Sequence, residues 1–113
     1  MKNTSQKNFE YNPSIDSLTI YHSKADVETV AGSIVLDNFI FDISTNGTFV
    51  SLEIDNASEV FEIEPEILSQ IKEASIRTSV QGNLITLFYR VTIDQKEYER
   101  ALMIPKDKIA LTV

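Results

Sequence analysis

Apolar and polar residues alternate along most of this chain, in two blocks separated by a stretch with a different period. The clearest block runs Asn38-Phe39-Ile40-Phe41-Asp42-Ile43, turns at Asn46-Gly47 and returns as Val50-Ser51-Leu52-Glu53-Ile54-Asp55. Asn-Gly favours a two-residue type I′ turn, whose twist matches that of the strands it joins. Such a turn sets Ile43 against Val50, Phe41 against Leu52 and Phe39 against Ile54. Three apolar pairs then share one face, and a one-residue slip would move all of them to the other.

Upstream, Phe9-Glu10-Tyr11 reads as a short strand and Asn12-Pro13-Ser14 as a turn, because proline fixes its own φ and disfavours helix in the residue before it. Ser17-Leu18-Thr19-Ile20-Tyr21 alternates, with Leu18 and Ile20 on one face. Between Ala25 and Leu36 the pattern is ambiguous and carries one more short strand, around Val27 to Val30 or Ile34 to Leu36. After Asp55 the period changes. Asn56-Ala57-Ser58-Glu59 fits a capping box, predicting a helix over about 57–61, with Asn56 accepting from the Glu59 amide and Glu59 reaching back. Pro65 suits the first position of a second helix, over about 65–73, whose Ile67, Leu68, Ile71 and Ala74 should face a sheet.

The last third alternates again. A two-residue turn at Gly82-Asn83 pairs Val80 with Ile85, Thr78 with Leu87 and Ile76 with Tyr89. A further turn near Asp94-Gln95 sets Arg90 against Glu99 and Leu87 against Leu102, while a four-residue loop from Asp94 to Glu97 would shift these partners. Pro105 should end that strand, and Ile109 to Val113 could add a short edge. The elements together predict one α+β domain over residues 1–113: a frayed arm at 1–8, a β segment at 9–58, and a helical stretch with a three-stranded antiparallel meander at 59–113.

Composition narrows the function classes. With 42% hydrophobic and 24% charged residues the chain is in the globular range. It has no cysteine, which removes thiol catalysis, thiolate metal sites and disulfides, and fits a cytoplasmic location. No apolar run approaches the ~20 residues of a membrane helix, and the polar start lacks the apolar stretch of a secretory signal. The net charge of −7, with scattered lysines and arginines, argues against nucleic acid and makes a basic protein the more plausible partner.

Tyr11-Asn12-Pro13-Ser14-Ile15-Asp16-Ser17-Leu18-Thr19-Ile20 follows the pattern Tyr, turn, Asp, any residue, Leu, any residue, Ile. The later Gly47 to Ser58 stretch continues as a glycine turn, a Val-Ser-Leu-Glu-Ile strand and an Asn-Ala-Ser helix start. Over about residues 9–58 the chain resembles domain-of-unknown-function family 2283, a small prokaryotic family. Asn12 stands where that family often has Asp, and Ser51 where it often has Gly. The resemblance implies no particular activity. Its one functional implication is that some members resemble partners of small basic toxin-like proteins in two-component operons.

Candidate chemistry is sparse. His22 is the only histidine and has no partner at catalytic spacing, and three glycines leave no room for a phosphate-binding loop. The hairpin places Asp42, Glu53 and Asp55 together on its outward face, as candidates for a hard-cation site or for a metal-dependent or small-molecule enzyme. The plainer reading is a solvated polar face, with no metal and no cofactor. Asp16 is expected to hydrogen-bond backbone amides within its own turn. Glu59, Glu62, Glu64 and Glu66 gather around the helix starts, where they complement the helix dipole or dock a basic partner. Ile40, Phe49, Leu84 and Phe88 fall on nominally polar faces and suggest a subunit contact, with Phe88 also able to stack on Arg77. The expected function is a non-enzymatic interaction module, homodimeric, using Ile40, Phe49 and the helix-start glutamates, with a basic protein as candidate partner.

Overall fold

The computed structural model describes residues 7–22 and 29–109. Its strands form two antiparallel sheets. The first comprises β1 (Phe9–Asn12), β2 (Ser17–Tyr21), β3 (Val30–Leu36), β4 (Phe39–Ser44) and β5 (Phe49–Asp55), in the order β1-β2-β5-β4-β3. The second is a meander of β6 (Glu73–Gln81), β7 (Leu84–Ile93) and β8 (Lys96–Pro105). Between them in sequence lie α1 (Ala57–Phe61) and α2 (Pro65–Leu68). The fold is α+β, antiparallel, with two short helices. Of the ambiguous stretch, Ile34 to Leu36 belongs to β3, while Val27 lies outside the described residues. So does the start of the expected frayed arm, but Asn8 is tied down: its side chain donates to the carbonyls of Tyr21 (3.1 Å) and Ala74 (2.9 Å).

The β4–β5 pairs are those demanded by alternation: Phe39–Ile54, Ile40–Glu53, Phe41–Leu52 and Asp42–Ser51. The turn is different. Ser44 N–H donates to the Thr48 carbonyl (2.8 Å) and Gly47 N–H to the Ser44 carbonyl (3.0 Å), which leaves Thr45, Asn46 and Gly47 as the loop. Gly47 has φ 85°, whereas Asn46 stays out of the left-handed region that type I′ requires. This is the three-residue alternative, a turn followed by a left-handed glycine. It moves the register by one, so Ile43 faces Phe49 rather than Val50, and a bulge at once moves it back. At the bulge both Phe49 and Val50 turn inward. Phe49, expected on the outward face, is 5% exposed and stacks on Phe41 with ring centres 5.2 Å apart.

In the second sheet the expected partners are all present: Val80–Ile85, Thr78–Leu87 and Ile76–Tyr89, then Arg90–Glu99 and Leu87–Leu102. The left-handed residue of the β6–β7 turn is Gly82 (φ 59°). The β7–β8 turn is Asp94-Gln95, with φ 51° and 69°. That is the type I′ pattern without a glycine, and the four-residue loop does not occur. Lys106–Ile109 forms a 3-10 turn, so Ile109 does not open a strand, and the remaining expected edge residues lie outside the described ones.

Two helical expectations need correction. Asn56 makes no side-chain cap and sits in the left-handed region at φ 55°. The second helix ends at Leu68 rather than near 73, because Lys72 N–H already pairs with the Thr92 carbonyl (2.8 Å) and draws the chain into β6. Ile67 is consequently 40% exposed, while Leu68, Ile71 and Ala74 are buried.

One core joins both sheets. Leu18, Ile20, Phe41, Leu52 and Ile54 from the first meet Ile76, Leu87, Tyr89, Val91 and Ile104 from the second, with Phe61 and Leu68 from the helices. The Tyr89 ring lies 5.6 Å from both Phe39 and Phe61. Burying each such Leu, Ile or Phe stabilises by about 1.5–3 kcal/mol. The inner faces are thereby occupied, and each sheet keeps an outer face.

Candidate functional site

The outer face of the first sheet is ordered by its registers into rungs that cross the strands. Glu10, Thr19, Glu53, Ile40 and Val35 form one rung, and Tyr21, Ser51, Asp42 and Ser33 the next. Asp55 continues the same face of β5, between Ser17 and Asn38. Strand alternation alone places these side chains, since their neighbours Leu18, Ile20, Phe41, Leu52 and Ile54 must point inward. The structure therefore brings the sequence candidates Asp42, Glu53 and Asp55 together, and adds Glu10 and Tyr21. The addition follows from β2 lying beside β5, a long-range pairing that no local pattern announces.

The charge on this face is one-sided. None of the five strands contains a lysine, arginine or histidine. Asp42 accepts from the hydroxyls of its rung neighbours Ser33 and Ser51, the latter at 3.2 Å. Glu53 is pushed above the usual carboxylate range by partial burial, then by the charge of Asp55 and a hydrogen bond shared with it, and by the charge of Asp42. Exposed apolar surface accompanies the acids: Tyr21 is 41% and Val35 68% exposed, with Ile40 half-buried between Val35 and Glu53.

At the end of the sheet a different carboxylate is fully engaged. Asp16, at φ 52° in the β1–β2 turn, reaches across to α1 rather than bonding within its turn. It accepts from the Ser58 amide (3.0 and 3.3 Å), the Ser58 hydroxyl (2.6 Å) and the Tyr11 hydroxyl (2.7 Å). Partial burial pushes Asp16 upward, but the Ser58 and Tyr11 hydrogen bonds outweigh it and hold the carboxyl below its ordinary range. The Tyr11 hydroxyl is pushed far up, by burial first and then by its bond to Asp16. Asp16 thus performs the capping expected of Asn56, while Asn12 holds the turn through the Ser14 amide (3.0 Å) and hydroxyl (2.6 Å).

The other candidates are placed elsewhere. Glu59, Glu62, Glu64 and Glu66 are exposed around the two helices, apart from the rungs of the sheet. Among the described residues no group of three His, Cys, Asp or Glu is arranged to hold a metal ion. His22 borders a cleft of about 40 Å³ shared with Thr48, Phe49, Ile76, Arg77, Thr78 and Leu87. Small-molecule sites begin near ~300 Å³. Phe88 stacks under the Arg77 guanidinium at 4.0 Å, as its register suggested. Among the described residues no helix is long and apolar enough to cross a membrane.

No curated protein and no solved structure matches this chain. The segment that builds the acidic sheet face and its Asp16–Ser58 link does have relatives. Residues 8–58 match the family model described as protein of unknown function (DUF2283), the family that the sequence resembles.

Proposed function

We propose that this protein is a non-enzymatic interaction module that binds a basic protein on the open face of its five-stranded sheet. The carrying observation is the charge of that face: Glu10, Asp42, Glu53 and Asp55 point outward from strands that contain no basic residue. Partial burial first, and then the charges of Asp55 and Asp42, raise the Glu53 pKa, and an incoming cation would offset both. Tyr21, Ile40 and Val35 supply apolar area beside the charges, and an interface needs both. A second copy would set four carboxylates against four, so this face selects a partner of opposite charge. The cysteine-free composition suits a reducing compartment, and we place the interaction in the cytoplasm.

Affinity capture from native lysate tests the reading. The wild-type chain should retain a basic protein that elutes as salt is raised. Asp42→Asn/Glu53→Gln/Asp55→Asn should lose it, while Glu59→Gln/Glu62→Gln/Glu64→Gln/Glu66→Gln should keep it. Loss with the helix variant and retention with the sheet variant would move the site to the helices.

A further inference from the structure

Among the described residues the two sheets end on the edge strands β1, β3, β6 and β8. An edge strand presents unpaired N–H and C=O groups to any extended chain, and charged residues within it are a usual deterrent. β1 carries Glu10, β6 carries Glu73 and Arg77, and β8 carries Lys96, Glu97, Glu99 and Arg100. β3, with the sequence Val30-Ala31-Gly32-Ser33-Ile34-Val35-Leu36, carries none. Its bulge lies between Val30 and Gly32, which leaves residues 32–36 in regular register. The direction of their free groups follows from β4. Asp55 N–H donates to the Asn38 carbonyl (2.8 Å), so Ile40 and Asp42 bond across to β5, while Phe39 and Phe41 bond to Leu36 and Ile34. The main-chain groups of Ser33 and Val35 therefore point to the free side. Their side chains are exposed on the outer face, beside Asp42 and Ile40. Ile34 and Leu36 lie on the inner face, half-buried against the core.

We propose that the partner binds as an antiparallel strand added to β3, in which lysine or arginine alternates with apolar residues. This strand mode rests on the basic partner proposed above and adds the form in which it binds. The free main-chain groups select an extended segment, and antiparallel addition is the stronger of the two directions. A partner residue opposite Ser33 points to the outer face, two strand spacings or about 10 Å from β4. Ser33 is small and leaves the way to Asp42 open, and a lysine or arginine is long enough to take it. Asp42 accepts from Ser33 and Ser51, and an ionised carboxylate has lone pairs for a further donor. Partner residues opposite Ile34 and Leu36 point inward, where apolar side chains complete the burial of both. The two faces of β3 thus ask for different residues, and alternation supplies them.

The probe is a labelled nine-residue peptide of alternating lysine and valine, titrated by fluorescence anisotropy up to about 1 mM. It should bind the wild-type chain, more weakly as salt rises. The same residues arranged as a lysine block and a valine block should bind at least about tenfold more weakly. Backbone N-methylation of the lysines, whose N–H groups face β3, should abolish binding, and N-methylation of the valines should not. Val35→Pro removes a free-side N–H that takes no part in the β3–β4 ladder, a change that an edge strand tolerates, and should cost about tenfold. The N-methyl pair probes the same bonds on the unaltered protein. Equal binding of the alternating and block peptides, equal effects of the two N-methylations, or no peptide binding overturns the strand mode. So does a wild-type dimer that Val35→Pro dissolves, which would assign the edge to a second copy. With any of these results, a lysate partner lost from Asp42→Asn/Glu53→Gln/Asp55→Asn keeps the basic-partner reading, and a partner retained by that variant removes it.

Discussion

The Asp16 carboxylate, 42 residues before Ser58 in sequence, accepts both the amide and the hydroxyl of Ser58 and so fastens the first turn of the sheet to the first helix. The same carboxylate accepts the Tyr11 hydroxyl. Asp16→Asn keeps the size but loses the charge and presents donors to donors. The expected loss is about 2 kcal/mol, which lowers Tm by roughly 10 °C in a chain of this length. Because folding holds the Asp16 pKa below its unfolded value, its contribution is complete above about pH 4 and fades as pH falls through the depressed folded value. Thermal denaturation against pH should show a steeper acid loss for wild type than for Asp16→Asn.

Glu53 carries the opposite sign. Its folded pKa is raised, so the folded state binds the proton more tightly and stability falls as pH rises through that pKa. Glu53→Gln should stabilise at pH 7, by about 0.5 kcal/mol or less for a group this accessible. The gain should vanish by about pH 4, where the unfolded carboxyl is also protonated. A gain that persists at acid pH would exclude charge repulsion as its source.

The bulge of β5 turns Phe49 into the core, whereas Ile40, paired with Glu53, stays on the outer face. Phe49→Ala should cost about 3–5 kcal/mol, as expected for a buried ring. Ile40→Ala, on the half-open face, should cost nearer 1 kcal/mol. Equal costs in urea titrations would mean that Phe49 is not in the core.

The turns give a further contrast. Gln95 occupies the second left-handed position of a type I′ turn at φ 69°, a position that favours glycine. Gln95→Gly should stabilise by about 0.5–1 kcal/mol. Gly47→Ala meets no steric neighbour within 4 Å, so its expected loss of about 1 kcal/mol is purely conformational. Both are measured by the shift in denaturation midpoint.

The sequence disclosed much of this because local turn chemistry sets register in meanders. Gly82-Asn83 and Asp94-Gln95 are two-residue loops, and every pair derived from them is present. The β4–β5 pairs were legible for a less secure reason. The three-residue loop and the bulge each move the register by one in opposite senses, so their effects cancel beyond Asp42. Phe49 sits between the two shifts, so alternation alone puts it on the wrong face. The Asp16 contact is invisible locally because its partner Ser58 is distant in sequence, and the local pattern offers Asn56 as the cap instead. The Asp42, Glu53 and Asp55 grouping was readable from alternation alone. Glu10 and Tyr21 joined it only through the β2–β5 pairing, which depends on tertiary packing.

The central claim is that the open face of the five-stranded sheet binds a basic protein. Its most direct test is titration calorimetry of the captured partner against wild type, Asp42→Asn/Glu53→Gln/Asp55→Asn, and the quadruple helix variant, at two salt concentrations. The account predicts at least a tenfold weaker Kd and a flatter salt dependence for the sheet variant alone, about 1.4 kcal/mol or more. Unchanged affinity in the sheet variant would contradict it.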